Sequence, residues 1–118
     1  MTIHAKCVMS ILLGLALSAA APAARAEETQ WQKNHPRRTQ VNKRLNRQNR
    51  RIKRGVKNGT LTKQQARQLH KEDRQTRQEE RDMAAQNGGH ITKQEQRTLN
   101  QQENKESRQI HNEKHDWQ

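Results

Sequence analysis

The chain has 118 residues, of which 24 are Lys or Arg and 12 are Asp or Glu, so that its formal net charge is +12 at neutral pH. Aromatic residues make up 2% of the chain, and there is one cysteine. This composition excludes an intramolecular disulfide scaffold. It also disfavours nucleic-acid recognition by base stacking, because stacking requires aromatic side chains.

The first 26 residues have the pattern of a cleavable export signal. His4 and Lys6 form a short positive region, residues 8–21 form an apolar run, and residues 24–26 (A-R-A) match a signal-peptidase site. The apolar run is shorter than the ~20 residues of a typical membrane span. We therefore expect a periplasmic or secreted protein, cleaved near Ala26 and without a stable membrane span; an uncleaved anchor is the alternative.

The predicted mature chain, residues 27–118, divides into two parts of different charge. Thr29–Lys71 contains fourteen Lys or Arg and no Asp or Glu, whereas Glu72–Gln118 contains eight Lys or Arg and ten Asp or Glu. Such asymmetry predicts anionic partners for the basic part. After export, these would be anionic envelope components or acidic or unfolded proteins, and no specific nucleic acid. Pairing of the basic part with the later acids within the chain is the alternative.

Two segments of the mature chain repeat with an offset of 30 residues. The corresponding positions are Gly59, Leu61, Thr62 and Gln65 in the first copy and Gly89, Ile91, Thr92 and Glu95 in the second. Glycine there can adopt the left-handed conformation that ends a helix. Thr with Gln or Glu three residues later forms a capping box that begins the next helix. The motif has a structural explanation in these turns, and a functional role is the alternative.

These signals predict an all-α fold with three helices, near Pro36–Lys57, Lys63–Gln86 and Lys93–Lys114. Short turns favour an up-down-up antiparallel arrangement within a helical domain of residues 36–118, preceded by a flexible segment at 27–35. Few large apolar residues are available, so the core is expected to be thin. We also expect partial disorder or self-association, because ordering the backbone costs ~1–2 kcal/mol per residue and few apolar side chains are available to offset this cost.

The first predicted helix is amphipathic. Val41, Leu45, Ile52 and Val56 recur with helical spacing on one face. The opposite face carries the candidate anion-binding residues, which are Lys43, Arg47, Arg50, Arg54 and Lys57. A solvated outer face is the alternative interpretation of this pattern.

The first turn segment also carries a family resemblance. Residues 61–65 (L-T-K-Q-Q) match the L-T-x-x-Q motif of the Spy/CpxP-type periplasmic proteins, and residues 91–95 (I-T-K-Q-E) resemble it. The chain is similar as well to small exported helical proteins of Gram-negative bacteria that have no assigned function. The Spy/CpxP resemblance implies a chaperone-like protein linked to envelope stress.

Candidate chemical groups are sparse in the mature chain. His111 and His115 are four residues apart on the last predicted helix, a spacing that can chelate a metal weakly. Solvated histidines near a helix terminus are the alternative. Ser107 is the only serine after residue 26, and no cysteine nucleophile or Gly-rich phosphate loop is present. We therefore expect a non-enzymatic protein without a cofactor.

Overall fold

A computed structural model describes residues 26–116, and these residues form four helices and no strand. The helices are α1 (Gln30–Asn34), α2 (Pro36–Lys57), α3 (Lys63–Gln86) and α4 (Lys93–His115). The all-α prediction is confirmed, and the three long helices begin and end within one residue of their predicted bounds. The predicted export signal lies, up to residue 25, outside the described residues. In the described part of the chain, no helix is long and apolar enough to cross a membrane.

The long helices α3 and α4 begin at capping boxes. Thr62 Oγ1 accepts a hydrogen bond from the Gln65 backbone N–H at 3.1 Å, and Gln65 Oε1 accepts one from the Thr62 N–H at 2.9 Å. Thr92 and Glu95 form the same pair of bonds at 3.1 and 2.7 Å. Two backbone donors at each helix N-terminus, which have no partner within the helix, are thereby satisfied.

The segment predicted to be a flexible lead-in contains a helix that the sequence analysis missed. α1 has its own capping box between Thr29 and Gln32. It contacts α2, since Thr39 Oγ1 donates a hydrogen bond to the Gln32 carbonyl at 3.0 Å. Trp31 stacks on His35, with ring centroids 4.6 Å apart, and is 44% exposed. A local cap and this contact with α2 stabilise a single helical turn at Gln30–Asn34, within the segment that was expected to be flexible.

Each of the three long helices contacts the other two. Successive residues of α2 contact residues of α3 in descending order of residue number, as in the pairs Arg38–Glu80 and Asn42–Arg77. They contact residues of α4 in ascending order, as in the pairs Gln40–Asn100 and Arg51–Ser107. Buried positions recur at alternating intervals of four and three residues, as in α4 at Leu99, Glu103, Glu106 and Ile110. This is the heptad spacing of helices that pack side by side.

The bundle core has three zones along its length. The first apolar cluster consists of Val41, Leu45, Ala84, Ile91 and Leu99. The second apolar cluster consists of Ile52, Leu61, Ala66, Leu69 and Ile110. Between them along each long helix lie buried polar residues, here called the polar layer, which are Gln48, Asp73, Thr76, Glu80, Glu103 and Glu106. The core is thus thin in apolar side chains although it is continuous in length.

Candidate functional site

Eight of the ten basic side chains of α2, all except Arg37 and Lys53, form two sets that differ in their environment. The first set, here called the interhelical arginines, lies between helices and consists of Arg38, Arg44 and Arg51. Arg38 pairs with Glu80 and donates to the Gly89 carbonyl at 3.0 Å. Arg44 Nε lies 3.0 Å from Glu103 Oε2. Arg51 donates to Ser107 Oγ at 2.7 Å and so joins α2 to α4.

The second set, here called the outer stripe, faces solvent along α2. Its members are the five candidate anion-binding residues, all of them exposed: Lys43, Arg47, Arg50, Arg54 and Lys57. They recur at intervals of four and three residues, two positions after the buried residues of the same helix, and so lie on the face opposite the core. Lys43 pairs with Glu28. Among the described residues, the other four form no ion pair.

The acids of α3 and α4 neutralise two of the three interhelical arginines, Arg38 and Arg44, and none of the outer stripe. Glu80 and Glu103 are the acids of α3 and α4 that pair with α2, and both are almost fully buried, at 1% and 0% exposure. Asp73 and Glu106 are also buried and point into the polar layer between the helices. Intramolecular pairing therefore leaves the charge of the outer stripe largely uncompensated within the described residues.

Burial changes the protonation of the polar layer. Loss of solvent, together with the nearby Glu106 carboxyl, raises the pKa of Asp73 to about 7. Burial also raises the pKa of Glu103 to about 7, although the Arg44 guanidinium opposes the change. The pKa of Glu106 is raised by burial too, and the Thr76 hydroxyl, which donates to its Oε1 at 2.5 Å, limits that rise.

The sequence analysis did not identify the interhelical arginines or the polar layer. The signal that could have found the buried acids is the 30-residue repeat itself. Continued past Leu69 and Leu99, it aligns Asp73 with Glu103 and Thr76 with Glu106. These positions continue the heptad of the two buried leucines, which places them on the core face.

The two copies of the turn motif lie at opposite ends of the core. Leu61, 3% exposed, packs in the second apolar cluster, and Ile91, 2% exposed, packs in the first. Gly59 and Gly89 have φ values of 78° and 90°, in the left-handed region that favours glycine. The structure does not bring the two copies together, and each one reverses the chain and anchors its own end of the bundle.

The candidate metal residues, His111 and His115, are both exposed near the end of α4. Their ring centroids lie 4.4 Å apart at an interplanar angle of 53°. In the described part of the chain, no group of three or more His, Cys, Asp or Glu side chains is placed to hold a metal ion. The pair alone would supply two ligands, fewer than the four of a structural zinc site.

Comparison with known proteins gives no family assignment. No protein-family model, no curated protein and no solved structure matches this chain.

Proposed function

We propose that this is an exported, non-enzymatic binding protein that uses the outer stripe of α2 to contact anionic lipid head groups of the envelope. The observation that carries the proposal is the separation of the two basic sets on one helix. The two acids of α3 and α4 that form ion pairs with α2, Glu80 and Glu103, pair with Arg38 and Arg44, so the outward charges remain available to a partner.

The length and spacing of the outer stripe suit a flat anionic surface. Lys43 and Lys57 are fourteen residues apart, which is ~21 Å at 1.5 Å per helical residue. Four exposed cations in one line can contact several head groups at once, and each contributes ~1 kcal/mol near an anionic membrane. Such binding weakens as salt screens the charges.

The alternative, a Spy/CpxP-like chaperone, would bind unfolded proteins through apolar contacts as well as charge. Among the described residues, Trp31 is the one large apolar side chain that is exposed. The arrangement therefore favours binding by charge over binding by an apolar surface. Light scattering of an unfolding client separates the two functions, since a chaperone that uses apolar contacts would suppress aggregation at moderate as well as at low salt.

The direct test is sedimentation of the purified protein with vesicles of phosphatidylglycerol and phosphatidylcholine, compared with phosphatidylcholine alone. Arg50→Glu with Arg54→Glu reverses two charges in the middle of the outer stripe. We expect vesicle affinity to fall roughly 10-fold or more, because two attractive contacts become repulsive.

The matched control is Lys93→Glu with Arg97→Glu on α4. These two side chains are also exposed and four residues apart, so the net charge changes by the same amount. Acidic residues near a helix N-terminus are tolerated well. Equal loss of binding in both double variants would show that net charge, and not the outer stripe, determines binding, and would contradict the proposal.

A further inference from the structure

A groove of about 250 Å³ lies between α2 and α4 and is lined by three arginines. Its lining residues are Arg44, Arg47, Gln48, Arg51 and Ser107. Arg44 and Arg51 are interhelical arginines, and Arg47 belongs to the outer stripe. The volume is somewhat below the ~300–1,000 Å³ of pockets for drug-sized ligands, so the groove has room for a small anion or a single head group.

Side chains of α4 hold two of the three guanidinium groups in place. Arg44 donates to Asn100 Oδ1 at 3.0 Å and to Asn104 Oδ1 at 2.5 Å, in addition to its contact with Glu103. Arg51 donates to both the hydroxyl and the carbonyl of Ser107, at 2.7 and 3.4 Å. A guanidinium has five N–H donors, so both arginines keep donors for a ligand. Because the two are already positioned, binding would cost little side-chain entropy.

The charge of the groove is strongly unbalanced. Three guanidinium groups line it, and the one carboxylate that contacts any of them is that of Glu103. Arg47 forms no hydrogen bond or ion pair with the described residues, and its side chain is exposed at the mouth of the groove. Planar guanidinium groups match the oxygen geometry of phosphate, which they bind through paired, charge-assisted hydrogen bonds.

We propose that this groove is a phosphate-binding site, in which Arg44, Arg47 and Arg51 together hold one phosphate group. The inference rests on the proposed function and adds to it a defined site for one head group or one free phosphate. The outer stripe then supplies attraction to a surface, and the groove supplies a specific contact. Arg44 and Arg51 become binding residues that are also structural, whereas Arg47 serves binding alone.

The first measurement is titration calorimetry of the purified protein with inorganic phosphate. Arg47→Gln with Arg51→Gln removes two of the three guanidinium groups, and we expect phosphate affinity to fall roughly 10-fold or more. Since Arg51 also bonds to Ser107, Arg47→Gln alone is the second variant, which removes no hydrogen bond or ion pair of the described residues. The matched control is Lys93→Gln with Arg97→Gln on α4, which removes the same charge away from both the groove and the outer stripe and should change phosphate affinity less than about twofold.

A second measurement, sedimentation with phosphatidylglycerol vesicles, distinguishes the source of the phosphate. Because Arg47 also belongs to the outer stripe, the comparison for vesicle binding is Arg50→Gln with Arg54→Gln, which removes two charges of the stripe outside the groove. Loss of phosphate binding, together with a loss of vesicle binding larger than in that comparison, would show that a lipid head group enters the groove. Loss of phosphate binding alone would assign the groove to free phosphate. If the groove variants and the control lose phosphate affinity equally, or the unaltered protein binds no phosphate, the site is refuted. The proposed function would survive that result if Arg50→Glu with Arg54→Glu still abolished vesicle binding.

Discussion

The ends of the bundle core are apolar and its middle is polar, although both regions are equally buried. Leu45 and Ile110, in the two apolar clusters, and Glu103, in the polar layer, are all 0% exposed. The same heptad spacing places all of them between the helices. Burial in this protein is therefore determined by the register of three helices and not by the apolar character of each residue.

The difference between the regions teaches how a chain with so few apolar residues can still define one packing. The apolar clusters supply the free energy of burial, ~1.5–3 kcal/mol for each large side chain. The polar layer supplies little net stability, because several of its carboxylate oxygens, including both of Asp73, have no hydrogen-bond partner among the described residues. We expect the buried polar positions instead to discriminate against other registers, as they do in coiled coils.

The largest expected effect tests whether stability lies in the apolar ends. Leu45→Ala removes a fully buried side chain from the first apolar cluster. We expect it to lower the free energy of unfolding by ~2–5 kcal/mol, from lost burial and from the cavity that remains. Urea denaturation followed by circular dichroism measures this change.

Gln48→Leu, one helical turn away, is the matched variant in the polar layer. Gln48 donates one hydrogen bond, from Nε2 to the Glu103 carbonyl at 2.7 Å, and its Oε1 is buried without a partner in the described structure. Replacement by an apolar side chain of similar size should cost less than ~1.5 kcal/mol or raise stability. A loss as large as that of Leu45→Ala would show that the two regions do not differ in the way described.

The next effect is a dependence of stability on pH that originates in the polar layer. The folded-state pKa values of Asp73 and Glu103 are about 7, above the values of 3.8 and 4.5 of these groups without burial. The folded state therefore binds more protons than the unfolded state at intermediate pH. Their contribution to stability is complete below the unfolded pKa values and is lost as pH rises through about 7.

We expect the free energy of unfolding to fall by ~1–3 kcal/mol between about pH 6 and pH 8.5, where each pKa unit corresponds to ~1.36 kcal/mol. Asp73→Asn with Glu103→Gln should remove most of this dependence, because neither amide titrates.

His70 acts in the opposite direction. Burial lowers its pKa, so its contribution to stability is complete above its unfolded pKa and is lost as pH falls through the folded value. His70→Gln is therefore the control, and it should leave the decrease above pH 7 unchanged. Stability that stays constant over this range in the unaltered protein would contradict the interpretation.

The helix bounds were predictable because they depend on residues that are close in sequence. Gly59 ends one helix and the capping box of Thr62 begins the next, and both signals act within a few residues. α1 was missed although Thr29 and Gln32 repeat the same cap. Pro36 is itself a strong signal for the first position of a helix, and the first helix was therefore predicted to begin there.

The polar layer and the groove could not be predicted in the same way. Charged residues are mostly exposed in proteins, so the sequence of each helix taken alone predicts that Asp73 and Glu103 lie on the surface. The heptad that continues past Leu69 and Leu99 is the one sequence signal that these positions face inward, and the packing of three helices together shows that they do. Similarly, the charge run of α2 does not distinguish Arg44 from Arg47. The two differ in their hydrogen bonds to Asn100 and its neighbours on α4, which only Arg44 forms.

The smallest effect concerns the link between the caps and the apolar ends. Thr62→Ala removes the side chain that accepts from the Gln65 N–H, and Thr62→Ser keeps an acceptor at the same place as its control. We expect a loss of ~1 kcal/mol for the alanine variant and a much smaller one for serine. Since Leu61 precedes this cap and packs in the second apolar cluster, loss of the cap should also increase hydrogen exchange at Ile52 and Ile110 more than at Leu45. Equal exchange in both clusters would show that the bundle opens as one unit and that the two ends are not separately anchored.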